Sequence, residues 1–153
     1  MAVTVLLITL LGVMAVSAQS GRQVSGRSDV IRLAERGYAP AQTRLGFMFA
    51  SGQGVPQNEM EAVEWYKRAA EQGDPDAQYL LGVSFDLAKG VPMDWVLAYK
   101  WLNLSVARTR PGNEREHRAR MRDAIASKLS RPELEEARNL AIAWRPKPER
   151  QIR

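Results

Sequence analysis

Residues 34–46 read AERGYAPAQTRLG, and residues 70–82 read AEQGDPDAQYLLG. The echo continues at a constant offset of 36 residues. Gly37 falls on Gly73, Ala41 on Ala77, Gln42 on Gln78, Leu45 on Leu81 and Gly46 on Gly82. Gly54 then falls on Gly90, Val55 on Val91, Pro56 on Pro92, Ala62 on Ala98 and Trp65 on Trp101. A fixed period of this length marks units that bury one face only by stacking on a neighbour. It constrains the fold more tightly than any other feature of the chain.

Each unit divides into two helices. The first runs from about Pro40 to Ala50, and again from Pro75 or Asp76 to Leu87. Ala41, Leu45 and Phe49, like Ala77, Leu81 and Phe85, recur every four residues and share a helix face. The stretches SGQGVP and AKGVP stop it, because glycine accepts a left-handed turn and proline cannot continue a helix. The second helix starts after Asn58, which with Glu61 fits a capping box, and after the N-cap Asp94. Ala62, Trp65, Tyr66 and Ala69 form its apolar stripe, matched by Ala98, Trp101, Leu102 and Ser105. Trp65 and Trp101 are expected in equivalent buried slots. Gly46 and Gly82 lie inside helices, where each costs about 1 kcal/mol relative to alanine. A repeated cost predicts a repeated close approach, with the tryptophan stripe of a neighbouring helix against bare backbone.

The flanks read as ends of a stack. Residues 1–18 form a secretory signal peptide, with an apolar run from Val3 to Val16 and small residues at Val16 and Ala18 before a cut at Gln19. The alternative is a retained anchor, although the run is short for a span. After cleavage no segment could cross a membrane. Residues 19–27 are a flexible arm, and 28–145 are the repeat domain. Within it 28–37 is a half-repeat, 38–73 and 74–107 are full repeats, and 114–145 are capping helices. Met121, Ile125 and Leu129 supply the inner stripe of the first capping helix. The second starts at a Ser130–Glu133 capping box, and Leu134, Ala137, Leu140, Ala141 and Trp144 point inward. Residues 146–153 are a charged tail. The fold class is all-α, a superhelix of helix pairs closed by a C-terminal capping pair.

The stretches APAQTRLGFMFASGQGVPQNEMEAVEWYKRAAEQG and DPDAQYLLGVSFDLAKGVPMDWVLAYKWLNLSVA resemble the Sel-1-like repeats, relatives of the tetratricopeptide repeats. SRPELEEARNLAIAW resembles a C-terminal ending of the same family. The second unit departs at Ser105, Val106 and Ala107, where the family commonly continues like AAEQG. The resemblance implies a right-handed α/α superhelix and a protein-interaction or assembly role, often in bacterial export, envelope or host-contact settings. For some exported relatives it also implies peptidoglycan or β-lactam binding, but that depends on cysteines paired within repeats, and this chain has no cysteine.

Little in the sequence points to catalysis. The absence of cysteine removes thiolate nucleophiles and cysteine metal sites. The single histidine, His117, lies among charged residues and is expected at the surface. GQGVP lacks the strand, helix and Lys-Ser/Thr of a phosphate loop. No cofactor and no metal is expected. A peptidoglycan-related enzyme is the least favoured reading.

Binding is expected on two surfaces. One is the concave face of the first helices, with Gln42, Arg44, Met48, Gln78, Tyr79 and Asp86 at its non-core positions. Gln42 and Gln78 serve equally well as ties between neighbouring helices. The other is basic. Residues 19–107 carry 9 basic and 10 acidic side chains, whereas residues 108–153 carry 13 basic and 7 acidic. Arg115, Arg118 and Arg122 stand at helical spacing and are expected to share a face. Such a face suits an acidic protein, an anionic envelope surface or a cell-wall polymer. Nucleic acid is disfavoured, because export separates the chain from it and no aromatic residues interleave the arginines. The reading that results is a periplasmic or secreted, non-enzymatic adaptor for an unidentified protein partner, or else a structural module held on an anionic surface.

Overall fold

The computed structural model describes residues 26–149. The signal-peptide reading of residues 1–18, most of the 19–27 arm and the last residues of the tail lie outside the described residues. Among the described residues seven helices follow one another: α1 over 26–35, α2 (Ala39–Ser51), α3 (Glu59–Gln72), α4 (Pro75–Leu87), α5 (Trp95–Arg108), α6 (Asn113–Ala126) and α7 (Arg131–Ala143). Residues 26 and 27, expected in the arm, already belong to α1, and Arg27 donates from Nη1 to the Gly54 carbonyl at 2.7 Å.

The architecture is all-α, with helix pairs stacked in chain order. α2 packs on α3 and α4 on α5, α3 joins the two pairs, and α5 receives both α6 and α7. The two repeats are locked by the same main-chain contact. The Asn58 N–H donates to the Phe49 carbonyl at 2.9 Å, and the Asp94 N–H to the Phe85 carbonyl at 3.1 Å. Proline opens α2 and α4, where its missing N–H would have had no helical partner anyway. Asn58 accepts from the Met60 and Glu61 amides, Asp74 from Ala77 and Asp94 from Leu97. These bonds satisfy amides that have no carbonyl a turn earlier.

Several local expectations are corrected. Glu61 does not complete a box with Asn58, because its carboxylate accepts the Trp65 indole N–H at 3.1 Å. Leu140 is 38 % exposed rather than turned inward, since α7 meets the stack along Leu134, Ala137 and Ala141, with Trp144 just past its end. The Ser130 main-chain N–H and hydroxyl do both donate to Glu133, at 2.8 and 2.6 Å. Those bonds hold the Glu133 carboxyl below the usual range.

The interior glycines meet different neighbours from those expected. A Cβ on Gly46 would lie 2.6 Å from Cε1 of Tyr66, and one on Gly82 would lie 2.8 Å from Cγ of Leu102. Each glycine therefore faces the residue after the tryptophan, not the tryptophan itself. The tryptophans also differ. Trp101 is 5 % exposed and meets Trp144 edge to face, with centroids 6.3 Å apart. Trp65 is only half-buried, beside a smaller cluster of Ala34, Leu45 and Met48 at the thin N-terminal end. Gly90 shows why the GVP turn needs glycine. Its φ is +70°, and a Cβ there would collide with the Glu59 carbonyl at the start of α3.

Candidate interaction surface

The predicted binding residues fall into three groups. Gln42, Met48, Gln78 and Arg118 are buried, Gln42 partly beneath the returning tail, so none of them is an open docking surface while that tail is seated. This corrects the docking expectation for Met48 and Arg118, and for the two glutamines it selects the other expected role. The glutamines act as the inter-unit ties. Gln42 Nε2 donates to the Ala34 carbonyl and Gln78 Nε2 to the Ala70 carbonyl, both at 3.1 Å. Each amide thereby closes a carbonyl near the end of the preceding helix. Met48 fills the small N-terminal cluster with Leu45 and Ala34.

Arg118 does not share an exposed face with Arg115 and Arg122. Its guanidinium turns inward and donates from Nη1 to the Pro75 carbonyl at 2.8 Å and to Ser105 Oγ at 2.9 Å. It also pairs with Asp76 and, at 2.8 Å, with Glu114. The Ser105 hydroxyl donates in turn to the Pro75 carbonyl at 2.7 Å. Ser105 is where the second repeat departs from the pattern, and this polar lock between α4, α5 and α6 is the structural reason.

A second group joins α4 to the cap. The Tyr79 hydroxyl hydrogen-bonds the exposed His117 ring at Nε2, 3.1 Å away, and Asp86 pairs with Lys128 at 2.6 Å. Tyr79 thus faces α6 and Asp86 the turn after it, and α6 stands where a further first helix would continue the stack. Arg122 is half-buried and reaches Asp123 at 2.7 Å. The third group is exposed. It comprises Arg44 on α2 and Arg115 on α6, with Arg110 and Arg120 also on the surface. Beside Arg44 in the sequence stands Phe47, 47 % exposed, which the repeat pattern gave no reason to single out.

Sequence reasoning also missed the path of the tail. Residues 144–149 run extended beside the C-terminal end of α3. Trp144 packs on Trp101, with the Arg108 guanidinium 4.4 Å over its ring. The Lys147 N–H donates to the Glu71 carbonyl at 2.7 Å. The Glu149 carboxylate accepts Arg68 Nε at 2.9 Å and also the Gln42 amide. Burial would raise the Glu149 carboxyl, but the bonds from Arg68 and Gln42 and the Arg68 charge hold it below the usual carboxylate range. The signal that could have been read is the pair Pro146 and Pro148, which fixes an extended path.

Among the described residues there is no group of three or more His, Cys, Asp or Glu side chains that could hold a metal ion. Also among the described residues, no helix is long and apolar enough to cross a membrane.

The Sel1 repeat family matches residues 39–74 and 75–108, the two helix pairs described above. A protein of uropathogenic Escherichia coli strains, a protective antigen displaying an SLR fold, superimposes with a TM-score of 0.66 at 30% identity. The match covers 72% of this chain and 23% of that one, so the chain spans under a quarter of its length. A Sel1 repeat protein from Oxalobacter formigenes gives a TM-score of 0.53 at 42% identity, covering 59% of this chain and 65% of that one. No curated protein matches the sequence. The arrangement is a helical-repeat scaffold of the protein-interaction type. With two matched repeats, a shared main-chain lock and paired glutamine ties, the chain belongs to the Sel1 family of tetratricopeptide-like helical repeat proteins.

Proposed function

We propose that the protein is an adaptor of the bacterial envelope or secreted space that binds a partner protein through the outer face of α2. The observation that carries this reading is Arg44 and Phe47 together. They put a cation and a half-exposed aromatic ring on a first helix whose other predicted contact positions are buried. Arginine and aromatic anchors dominate protein interfaces because each combines a large contact area with a directional group. Export is supported by the apolar run from Val3 to Val16 and the small residues Val16 and Ala18. A photo-crosslinking residue at Phe47 of the tagged chain tests the proposal in cells. It should capture a discrete protein in the envelope or medium, and Arg44→Glu should abolish the adduct. Fractionation of the protein with the cytoplasm, or an adduct pattern unchanged by Arg44→Glu, would refute it.

A second reading rests on the excess of basic side chains after residue 107 and the exposure of Arg110, Arg115 and Arg120. It makes the cap a contact for an anionic envelope surface or cell-wall polymer. Association of that kind weakens steeply with salt. Co-sedimentation with isolated cell walls that is indifferent to ionic strength would remove it.

A further inference from the structure

The two repeats can be compared position by position, and the comparison isolates what is peculiar to the first. Gln42 and Gln78 make the same tie to the helix before them. Gln42 alone has its amide oxygen supplied, by Gln72 Nε2 at 2.7 Å, and its amide nitrogen shared with the Glu149 carboxylate. Gln78 Oε1 is buried with no partner. Arg68 is also peculiar to the first repeat, because position 104 in the second is a buried leucine. The Arg68 guanidinium lies 4.4 Å over the Trp65 ring, a contact made within the first repeat that does not depend on the tail. Arg68, Gln42 and the Glu71 carbonyl together present two donors and one acceptor in fixed positions, the first two to a carboxylate and the last to a main-chain N–H.

The segment seated there shows which ligand chemistry fits. Pro146 and Pro148 hold the peptide extended and leave Lys147 with the N–H between them, which meets the Glu71 carbonyl. The carboxylate follows two residues later. The Lys147 side chain is 80 % exposed and reaches only Glu71, at 3.7 Å, so that position is read loosely. What holds the segment is light. The Arg68–Glu149 pair is 38 % and 34 % exposed, and such pairs contribute little. The apolar anchor is Trp144, before this stretch, so residues 146–149 can leave without opening the core.

We propose that Gln42, Arg68 and the Glu71 carbonyl form a recognition site for an extended, proline-flanked peptide bearing a carboxylate on a partner protein, and that residues 146–149 of this chain hold the site shut by occupying it in cis. The site is separate from the Arg44–Phe47 face, and failure of either leaves the other standing. A tethered segment competes at an effective concentration of about millimolar, so the closed chain should bind a free peptide weakly.

The test uses the full chain and a fluorescein-labelled peptide Arg-Pro-Lys-Pro-Glu-Arg. Glu149→Lys places a cation against Arg68 and opens the site without touching it. Fluorescence anisotropy should show the peptide binding this variant about tenfold or more tightly than the unchanged chain. Adding Arg68→Ala should remove that gain, as should a peptide with glutamine in place of glutamate. Amide exchange at Lys147 should quicken in Glu149→Lys, reporting release of the segment, and Glu149→Gln serves as the milder variant should the reversal disturb folding. Quickened exchange without peptide binding would reduce the segment to a structural strap and overturn the proposal. Unchanged exchange, or equal peptide binding by the open and unchanged chains, would overturn it as well.

Discussion

Gly82→Ala sets helix propensity against packing, and the structure decides which wins. Alanine favours a helix interior over glycine by about 1 kcal/mol, so an open site would be stabilised. The site is not open. The new methyl would stand 2.8 Å from Leu102 Cγ, 3.2 Å from its Cδ2 and 3.1 Å from the Ala98 carbonyl oxygen. Carbon pairs prefer about 3.5–4.0 Å, so the helices must part or Leu102 must leave its rotamer. Leu102 is fully buried, and the carbonyl belongs to the α5 backbone, which has no rotamer to change. Overpacking of this kind costs about 1–3 kcal/mol, and the rigid neighbour places it in the upper part of that range. The net loss is about 1–2 kcal/mol, or a fall in Tm of about 4–8 °C for a domain of this size. Calorimetry of Gly82→Ala in the unchanged chain and in a Leu102→Ala background checks the reasoning. Leu102→Ala alone should cost about 2–5 kcal/mol. With the leucine gone, the added penalty of Gly82→Ala should shrink, leaving the part due to the Ala98 carbonyl oxygen 3.1 Å from the new methyl. A higher Tm for Gly82→Ala in the unchanged chain would refute the close approach. Gly82→Leu should be worse than Gly82→Ala.

Gln78→Ala should destabilise by about 0.5–1.5 kcal/mol in urea unfolding, because it removes a buried bond from the Ala70 carbonyl, which keeps only the Gly73 N–H. Gln42→Ala should lose at least as much, since Gln72 and Glu149 also depend on that side chain. Arg118→Met strips the bonds to Pro75 and Ser105, but Asp76 and Glu114 are exposed enough to regain water. Its cost should therefore be about 1–3 kcal/mol in the denaturant midpoint, short of the 3–5 kcal/mol typical of stranding a buried charge. A loss below about 0.5 kcal/mol would mean the lock is not formed. The Glu149 carboxyl is held below its ordinary value of 4.5, so its contribution is full above that value and is lost as pH falls through the lower folded one. Lys147 amide protection, measured relative to a neighbouring helical amide, should accordingly drop on acidification below about pH 4.5 and stay level between neutrality and that point.

The stack itself was legible because its signals are local. Proline at the head of α2 and α4, asparagine and aspartate caps, and glycine stops after α2 and α3 dictate helix limits within a residue or two, although the left-handed turn that ends α4 falls on Ala88, at φ 54°, ahead of Gly90. Direction across the stack was not legible. The spacing of Arg115, Arg118 and Arg122 places them near one another on α6, but only packing decides which one turns to the protein. The clue was Ser105, a polar residue on an otherwise apolar stripe, which needed a partner from elsewhere. Trp65 and Trp101 share a repeat position yet differ in burial, because Trp144 covers only the second. Pairings between residues far apart in the sequence, such as Glu149 with Gln42, leave no periodic trace. The charged composition after residue 145 therefore suggested a free tail, where the structure seats four of its residues.

The returning segment also acts as a ruler. From Trp144 to Glu149 an extended chain reaches about 15 Å at the 3.1 Å rise of polyproline geometry, while packed helices sit about 8–10 Å apart. A third unit spliced between the two present ones would add about two such spacings and leave Glu149 short of Gln42. In this protein, lengthening the array and keeping residues 146–149 fastened to the first unit are mutually exclusive, so that short segment counts the repeats beneath it.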